Sequence, residues 1–160
     1  MSKLHVAYLS LGSNIEPEIN LPRAAQLLAQ RGQIVEISSI WESQPVGGGG
    51  DNYLNACLSY QASFSRDELK SDVIQFIEAK LKRRRSRDKY APRTIDIDII
   101  VFNDEIINGR WLRQAFVVAP LAEIYPTLQN PETGETIAET ATRLRRHIWM
   151  KPRQELSLRS

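Results

Sequence analysis

The chain has 160 residues, 42% of them apolar and 25% charged, with a formal net charge of +2. A domain of that length withdraws roughly 70% of its unfolded surface from water, and the balance excludes a disordered chain and one driven onto nucleic acid by overall charge. Cys57 is the sole cysteine, which excludes an intrachain disulfide, and no apolar run approaches the ~20 residues of a membrane span, so a cytoplasmic protein is expected.

Val6, Tyr8 and Ser10 alternate with Ala7, Leu9 and Leu11, the pattern of a strand that ends at Gly12. Asn20, with Leu21 and Pro22 behind it, reads as the cap and first turn of a short helix closed by Gly32. The segment "QIVEISSIWES" is rich in β-branched residues and reads as a strand, whereas "QPVGGGGDN" must be a loop, because four successive glycines surrender too much backbone entropy inside a regular element. "YLNACLSYQASF" is the next strand, with Cys57 a buried thiol.

Ser65 and Glu68 stand at the reciprocal positions of a capping box, and Leu69, Val73, Phe76, Ile77 and Leu81 then recur at helical spacing, so the longest helix is expected here. The β-branched run from Thr94 to Phe102 is the clearest strand. "AFVVAPLAEIYPTL" reads as an extended piece turning at Pro120 into a helical turn; from Thr136 the chain starts helical and is expected to fray in a basic tail from about residue 150. Strand, helix, strand, strand, helix, strand is the ferredoxin-like order of an α+β fold: a mainly antiparallel sheet with helices on one face and the other free to build a site. One domain over residues 1–160 is expected.

In "TIDIDIIVF" the alternation sends Asp96, Asp98, Ile100 and Phe102 to one face and Ile95, Ile97, Ile99 and Val101 to the other. The two carboxylates then emerge roughly 6 to 7 Å apart at Cα. Such a pair repels itself unless a cation lies between, and a hard divalent ion with oxygen ligands is the natural candidate. Alone, the pattern more often marks the wet face of an amphipathic strand. The neighbourhood decides: residues 80–93 hold eight Lys or Arg and one acid, Asp88. Some of that charge is a solvated helix end, but Arg83, Arg85 and Arg93 can grip phosphate bidentately, and cation site plus anion clamp describe a nucleoside triphosphate. An RNA-binding module is the competing class; it lacks an aromatic stacking motif, and the paired acids would repel a phosphate backbone.

"LGSN", "SQPVGGGGDNYLNA", "PRTIDIDI" and "FVVAPLAEI" together resemble the 6-hydroxymethyl-7,8-dihydropterin pyrophosphokinase family, from about Val6 to about Leu128. "PRTIDIDI" is the specific part. The resemblance implies transfer of the β,γ-diphosphate of ATP to the pterin hydroxymethyl group, giving AMP in folate biosynthesis, with two Mg²⁺ ions held by Asp96 and Asp98. By the same resemblance Arg83 and Arg93 stabilise charge on the transferred group, and Gln75, Glu78, Arg85 and Tyr90 contact ATP, with Ile99 on the adenine side. Tyr53, Asn55 and Phe116 enclose the pterin, and Ser43 and Val46 supply its loop contacts. The implied partners are these small molecules and other folate-pathway enzymes, with no nucleic acid or membrane.

The chain departs from the family in "INGRWLRQAFVV", which is shorter, lacks a Pro-His pair and has Gln114 where an arginine is usual. Arg110 or Arg113 is left to bind phosphate there. A diverged paralogue, acting on another alcohol or binding without turnover, is the alternative that this gap raises.

Overall fold

A computed structural model of the chain describes residues 3–45, 49–82 and 94–159. The first strand, β1 (His5–Ser13), runs down the centre of the sheet, and its inward residues Ala7, Leu9 and Leu11 are buried. It leads to helix α1 (Pro17–Ala29). This helix starts earlier than the sequence suggests: Pro17 takes the first-turn position, where a missing N–H costs nothing. Asn20 and Pro22 fall inside the helix, and the Asn20 amide reaches back to the Ile15 carbonyl rather than capping.

The expected second strand divides into β2 (Gln33–Ile37) and β3 (Trp41–Ser43), both antiparallel to the long β4 (Tyr53–Ala62). At the break between them, the Cys57 amide donates to the Ser38 hydroxyl at 2.8 Å, so β4 keeps a partner where the ladder lapses.

The capping box is formed as expected: Ser65 and Glu68 exchange hydrogen bonds at the start of α2 (Arg66–Glu68). The helix continues through a π-helical stretch (Leu69–Ile74) into α3 (Gln75–Lys80). Leu69, Val73, Ile77 and Leu81 are buried. Phe76 is not part of that stripe: it is 41% exposed, and the Arg31 guanidinium lies 4.2 Å from its ring centroid.

Strand β5 (Asp96–Phe102) pairs with β1, and a tight turn through Asn103 and Asp104, both with positive φ, returns it as β6 (Glu105–Ile106). The sheet order is β6-β5-β1-β4-β3-β7, with β2 also on β4, and every pairing is antiparallel. Its centre has the ferredoxin-like arrangement, and α1 with the 66–80 helix packs on one face over Leu9, Leu11, Leu58 and Ile97.

Three features were not anticipated. Residues 115–124 form helix α4 (Ala115–Ile124), which runs through Pro120 and covers part of the opposite face together with α5 (Ile137–Arg145). The tail expected to fray instead supplies β7 (Met150–Pro152) on the edge of β3, and Leu158 lies buried at 2% exposure. Finally, the β1–β5 register slips by one residue between Tyr8 and Leu9, so that Leu9 faces Ile99 and Tyr8 faces Val101. Ile100 is the extra residue of this β-bulge. Beyond it the two faces exchange: Val101 joins the cluster under α4, and Phe102 packs with the core under α1, the reverse of simple alternation.

Candidate active site

The sheet face opposite α1 carries an ordered row of polar side chains. Gly12 stands opposite Asp96 of β5 on one side and Asn55 of β4 on the other, and Asn55 in turn stands opposite Trp41 of β3. One step along, Ser10 faces both Asp98 and Cys57. Residues paired across antiparallel strands share a face, so both carboxylates and the Asn55 amide look the same way. Asp96 is half-buried and Asp98 exposed, as the alternation upstream of the bulge predicts.

Above this floor lies a cavity of about 490 Å³, the scale of a small-ligand site. Asp96, Asp98 and Ile99 line it from β5, Ser43 from β3, and Tyr53 and Asn55 from β4. Asn55 is 4% exposed, and its amide donates to the Ser43 hydroxyl at 2.7 Å, which fixes its orientation. The opposite wall is built by the turn after β6 and the first turn of α4, through Asn108, Arg110, Trp111, Gln114, Phe116 and Val117. Asn108 and Gly109 both hold positive φ, 63° and 55°, which swings the chain into the 3₁₀ turn Arg110–Arg113. The Trp111 indole N–H then locks to the Ile107 carbonyl at 2.9 Å.

The wall is tied to the floor at two places. Cys57 donates its thiol to the Val117 carbonyl at 3.6 Å, and burial pushes that thiol far above its ordinary pKa, so it stays protonated. Nearer the far end of α4, the Glu123 carboxylate accepts from the Ser39 amide at 3.1 Å, the Ser39 hydroxyl at 2.8 Å and the Trp41 indole at 2.6 Å.

Of the residues singled out in the sequence, the structure gathers Asp96, Asp98, Ile99, Arg110, Ser43, Tyr53, Asn55 and Phe116 around this one cavity. Arg113 does not join them; its guanidinium pairs with Glu132 at 3.1 Å. Gln75 and Glu78 are not in the lining either. Gln75 is exposed on the helix, and the buried Glu78 carboxylate accepts the Ile97 amide at 3.3 Å, on the part of β5 that β6 does not reach. Arg83, Arg85, Tyr90, Arg93 and Val46 lie outside the described residues.

Sequence reasoning passed over Ser10, Asn108 and Trp111 as lining residues and took Gly12 as the end of a strand. Gly12 had a readable signal, since its side of β1 continues the Tyr8 and Ser10 face. The lining role of Trp111 had none, because it depends on the left-handed turn before it.

Asp96 and Asp98 form an all-oxygen donor pair opening into the cavity beside the Ser10 hydroxyl, which suits a hard divalent cation. Among the described residues no third His, Cys, Asp or Glu gathers with them. A pair of carboxylates suits an ion whose other ligands are water and phosphate oxygens.

The family model described as 7,8-dihydro-6-hydroxymethylpterin-pyrophosphokinase (HPPK) matches residues 8–126, and the chain belongs to that family. It is similar to the 2-amino-4-hydroxy-6-hydroxymethyldihydropteridine pyrophosphokinase of Bacillus subtilis, at 38% identity over 85% of this chain and 86% of that protein. The protein of the same name from Synechocystis is 36% identical over 84% of this chain and 74% of its own length. Among solved structures, the Plasmodium falciparum HPPK-DHPS chain superposes with a TM-score of 0.70 at 13% identity, over 89% of this chain and 45% of that one. That last likeness concerns the fold alone, and this chain spans under half the length of that solved chain. No helix among the described residues is long and apolar enough to cross a membrane.

Proposed function

We propose that this chain transfers the β,γ-diphosphate of ATP to the hydroxymethyl oxygen of 6-hydroxymethyl-7,8-dihydropterin, releasing AMP, as a step of folate biosynthesis in the cytoplasm. The observation that carries this reading is the shared cavity: the acidic pair and the Tyr53, Asn55 and Phe116 group open into one space from adjacent strands and the facing helix. In the reaction the alcohol oxygen bonds to the β-phosphorus while the bond from that phosphorus to the α,β-bridging oxygen breaks. AMP leaves with the bond's electron pair, and the alcohol proton passes to solvent.

The protein's part is mainly to position and to offset charge. Tyr53 and Phe116 offer aromatic faces for a flat heterocycle, and Asn55, held by Ser43, presents a fixed amide to its edge. Arg110, on the cavity wall, offers a guanidinium to phosphate in a segment where Arg113 is engaged by Glu132. Asp96 and Asp98 are the residues to hold two magnesium ions, which when bound neutralise the phosphates and acidify the attacking hydroxyl. Arg83 and Arg93 are proposed to stabilise charge on the transferred diphosphate, with Arg85 and Tyr90 on ATP and Val46 on the pterin.

With magnesium, ATP and the pterin alcohol, the protein is expected to form AMP and the pterin diphosphate in equal amounts. Formation of ADP alone, or no turnover, rejects the reading. The short segment with Gln114 on the cavity wall favours a second reading, a relative acting on another alcohol; calorimetry with a panel of alcohols separates the two.

A further inference from the structure

We propose that the C-terminal segment positions the pterin side of the cavity through a clasp centred on Glu42, so that Arg153 is a positioning residue for pterin binding. The inference rests on the function proposed above. Glu42 lies in β3 between Trp41 and the cavity residue Ser43, on the opposite side of the strand. One of its carboxylate oxygens accepts from the Arg153 guanidinium at 2.9 Å, and the other accepts from the Asn52 amide at 2.8 Å. Asn52 immediately precedes Tyr53, the first residue of β4 and a lining residue of the cavity.

The clasp therefore joins three separate stretches of chain. Arg153 is fixed from two further directions: its amide donates to the Ile40 carbonyl at 2.8 Å, and its Nε pairs with Glu155. Strand β7 just before it pairs with β3, placing Lys151 opposite Glu42. Both clasp partners are partly withdrawn from water, with side chains 26% and 22% exposed, which strengthens charge-assisted hydrogen bonds relative to fully exposed ones. The Asn52 amide, and then Arg153, hold the Glu42 carboxyl below its ordinary pKa, consistent with an ionised hub.

The need for such a hub lies in the connection it closes. Residues 44–52 join β3 to β4, and residues 47–50 are all glycine. The β3–β4 ladder ends on the Ser43–Tyr53 pair, and on its other side β4 is held to β1 from the Ser13–Leu54 pair onward. Glu42 adds a second tie at Asn52, and Arg153 anchors that tie to β7.

The test is a kinetic double-mutant cycle with Arg153→Met, which keeps the apolar stem, and Glu42→Gln, which keeps the shape. Each is expected to raise KM for the pterin alcohol about threefold to tenfold, with KM for ATP and kcat at saturation unchanged. The double variant should be no worse than the poorer single one, because both break the same bridge. Arg153→Lys should recover part of the loss. Additive effects, or parallel changes in both KM values and kcat, overturn the proposal, as does no change at all. If Arg153→Met fails to fold, Asn52→Ala carries the same prediction from the loop end. If the wild type makes no AMP, the function proposed above fails instead. Amide exchange at Tyr53 and Asn55 then decides the clasp: faster exchange in Arg153→Met supports it, and equal exchange overturns it.

Discussion

Gly12 and Asn55 face each other across β1 and β4 so closely that a Cβ on Gly12 would stand 3.2 Å from Asn55 Oδ1. The same Cβ would come within 3.9 Å of the Tyr53 ring. The bare glycine thus leaves the middle of the cavity floor flat, and its φ is not in the left-handed region, so the requirement is space rather than conformation. Gly12→Ala is expected to displace the Asn55 amide and raise KM for the pterin about tenfold. Stability should fall by no more than about 1 kcal/mol, and thermal melting beside initial rates reads both.

Asp96→Ala and Asp98→Ala should each lower AMP formation at least about hundredfold, since charge stabilisation at the transferred group is the dominant contribution in such sites. The thermal midpoint should hold or rise slightly, because each change relieves repulsion between neighbouring carboxylates. Loss of folding in either variant would mean that the acids are structural.

Gly32 has a stricter packing constraint. A Cβ there would lie 2.6 Å from both Cζ and Oη of Tyr60, whose hydroxyl donates to the Leu28 carbonyl at 2.6 Å from a buried position. Burial pushes the Tyr60 pKa up to about 12, so the ring stays a neutral donor. Gly32→Ala should cost about 1–3 kcal/mol in urea unfolding, with KM for both substrates unchanged because the residue lies outside the cavity lining.

The Arg143 guanidinium, with Thr133 and Thr140, holds the Glu135 carboxyl down at about 2 against an ordinary 4.5. A depressed folded-state pKa gives stability that is complete above the unfolded value and lost as pH falls through the folded one. The wild type should therefore melt above Arg143→Met at pH 6, and the gap should shrink between about pH 4.5 and 2. The exposed Arg143 side chain keeps that gap modest. A gap constant across that range would show that the pair contributes nothing to folding.

The acidic pair was legible because period-two alternation over isoleucines leaves little choice of face, and Tyr53, Asn55 and Phe116, which line the same cavity, were singled out by resemblance. The bulge was not: in "IIVF" every residue is apolar, so nothing in the pattern marks which one is skipped by the ladder. Pro120 misled for a different reason. A helix-interior proline ordinarily costs about 3 kcal/mol, yet α4 buries Val117, Val118 and Leu121 against the sheet, each burial contributing about 1.5–3 kcal/mol. Tertiary packing outweighs the local preference there. The C-terminal strand was hidden because three residues opposite β3 leave no period to detect.

The skipped residue in β5 has an implication for how this protein can change. One supernumerary isoleucine lets a seven-residue strand set oxygen donors toward the cavity at its start and still pack a half-buried ring against the core under α1 at its finish. Deleting Ile100 would straighten the ladder and leave Val101 opposite Tyr8 beneath α4 and Phe102 opposite Ala7 beneath α1, losing only the buried Ile100 side chain itself. A lineage could therefore gain or shed this one residue without exchanging the large and small partners on either side of the sheet, and the acidic pair upstream would keep its place.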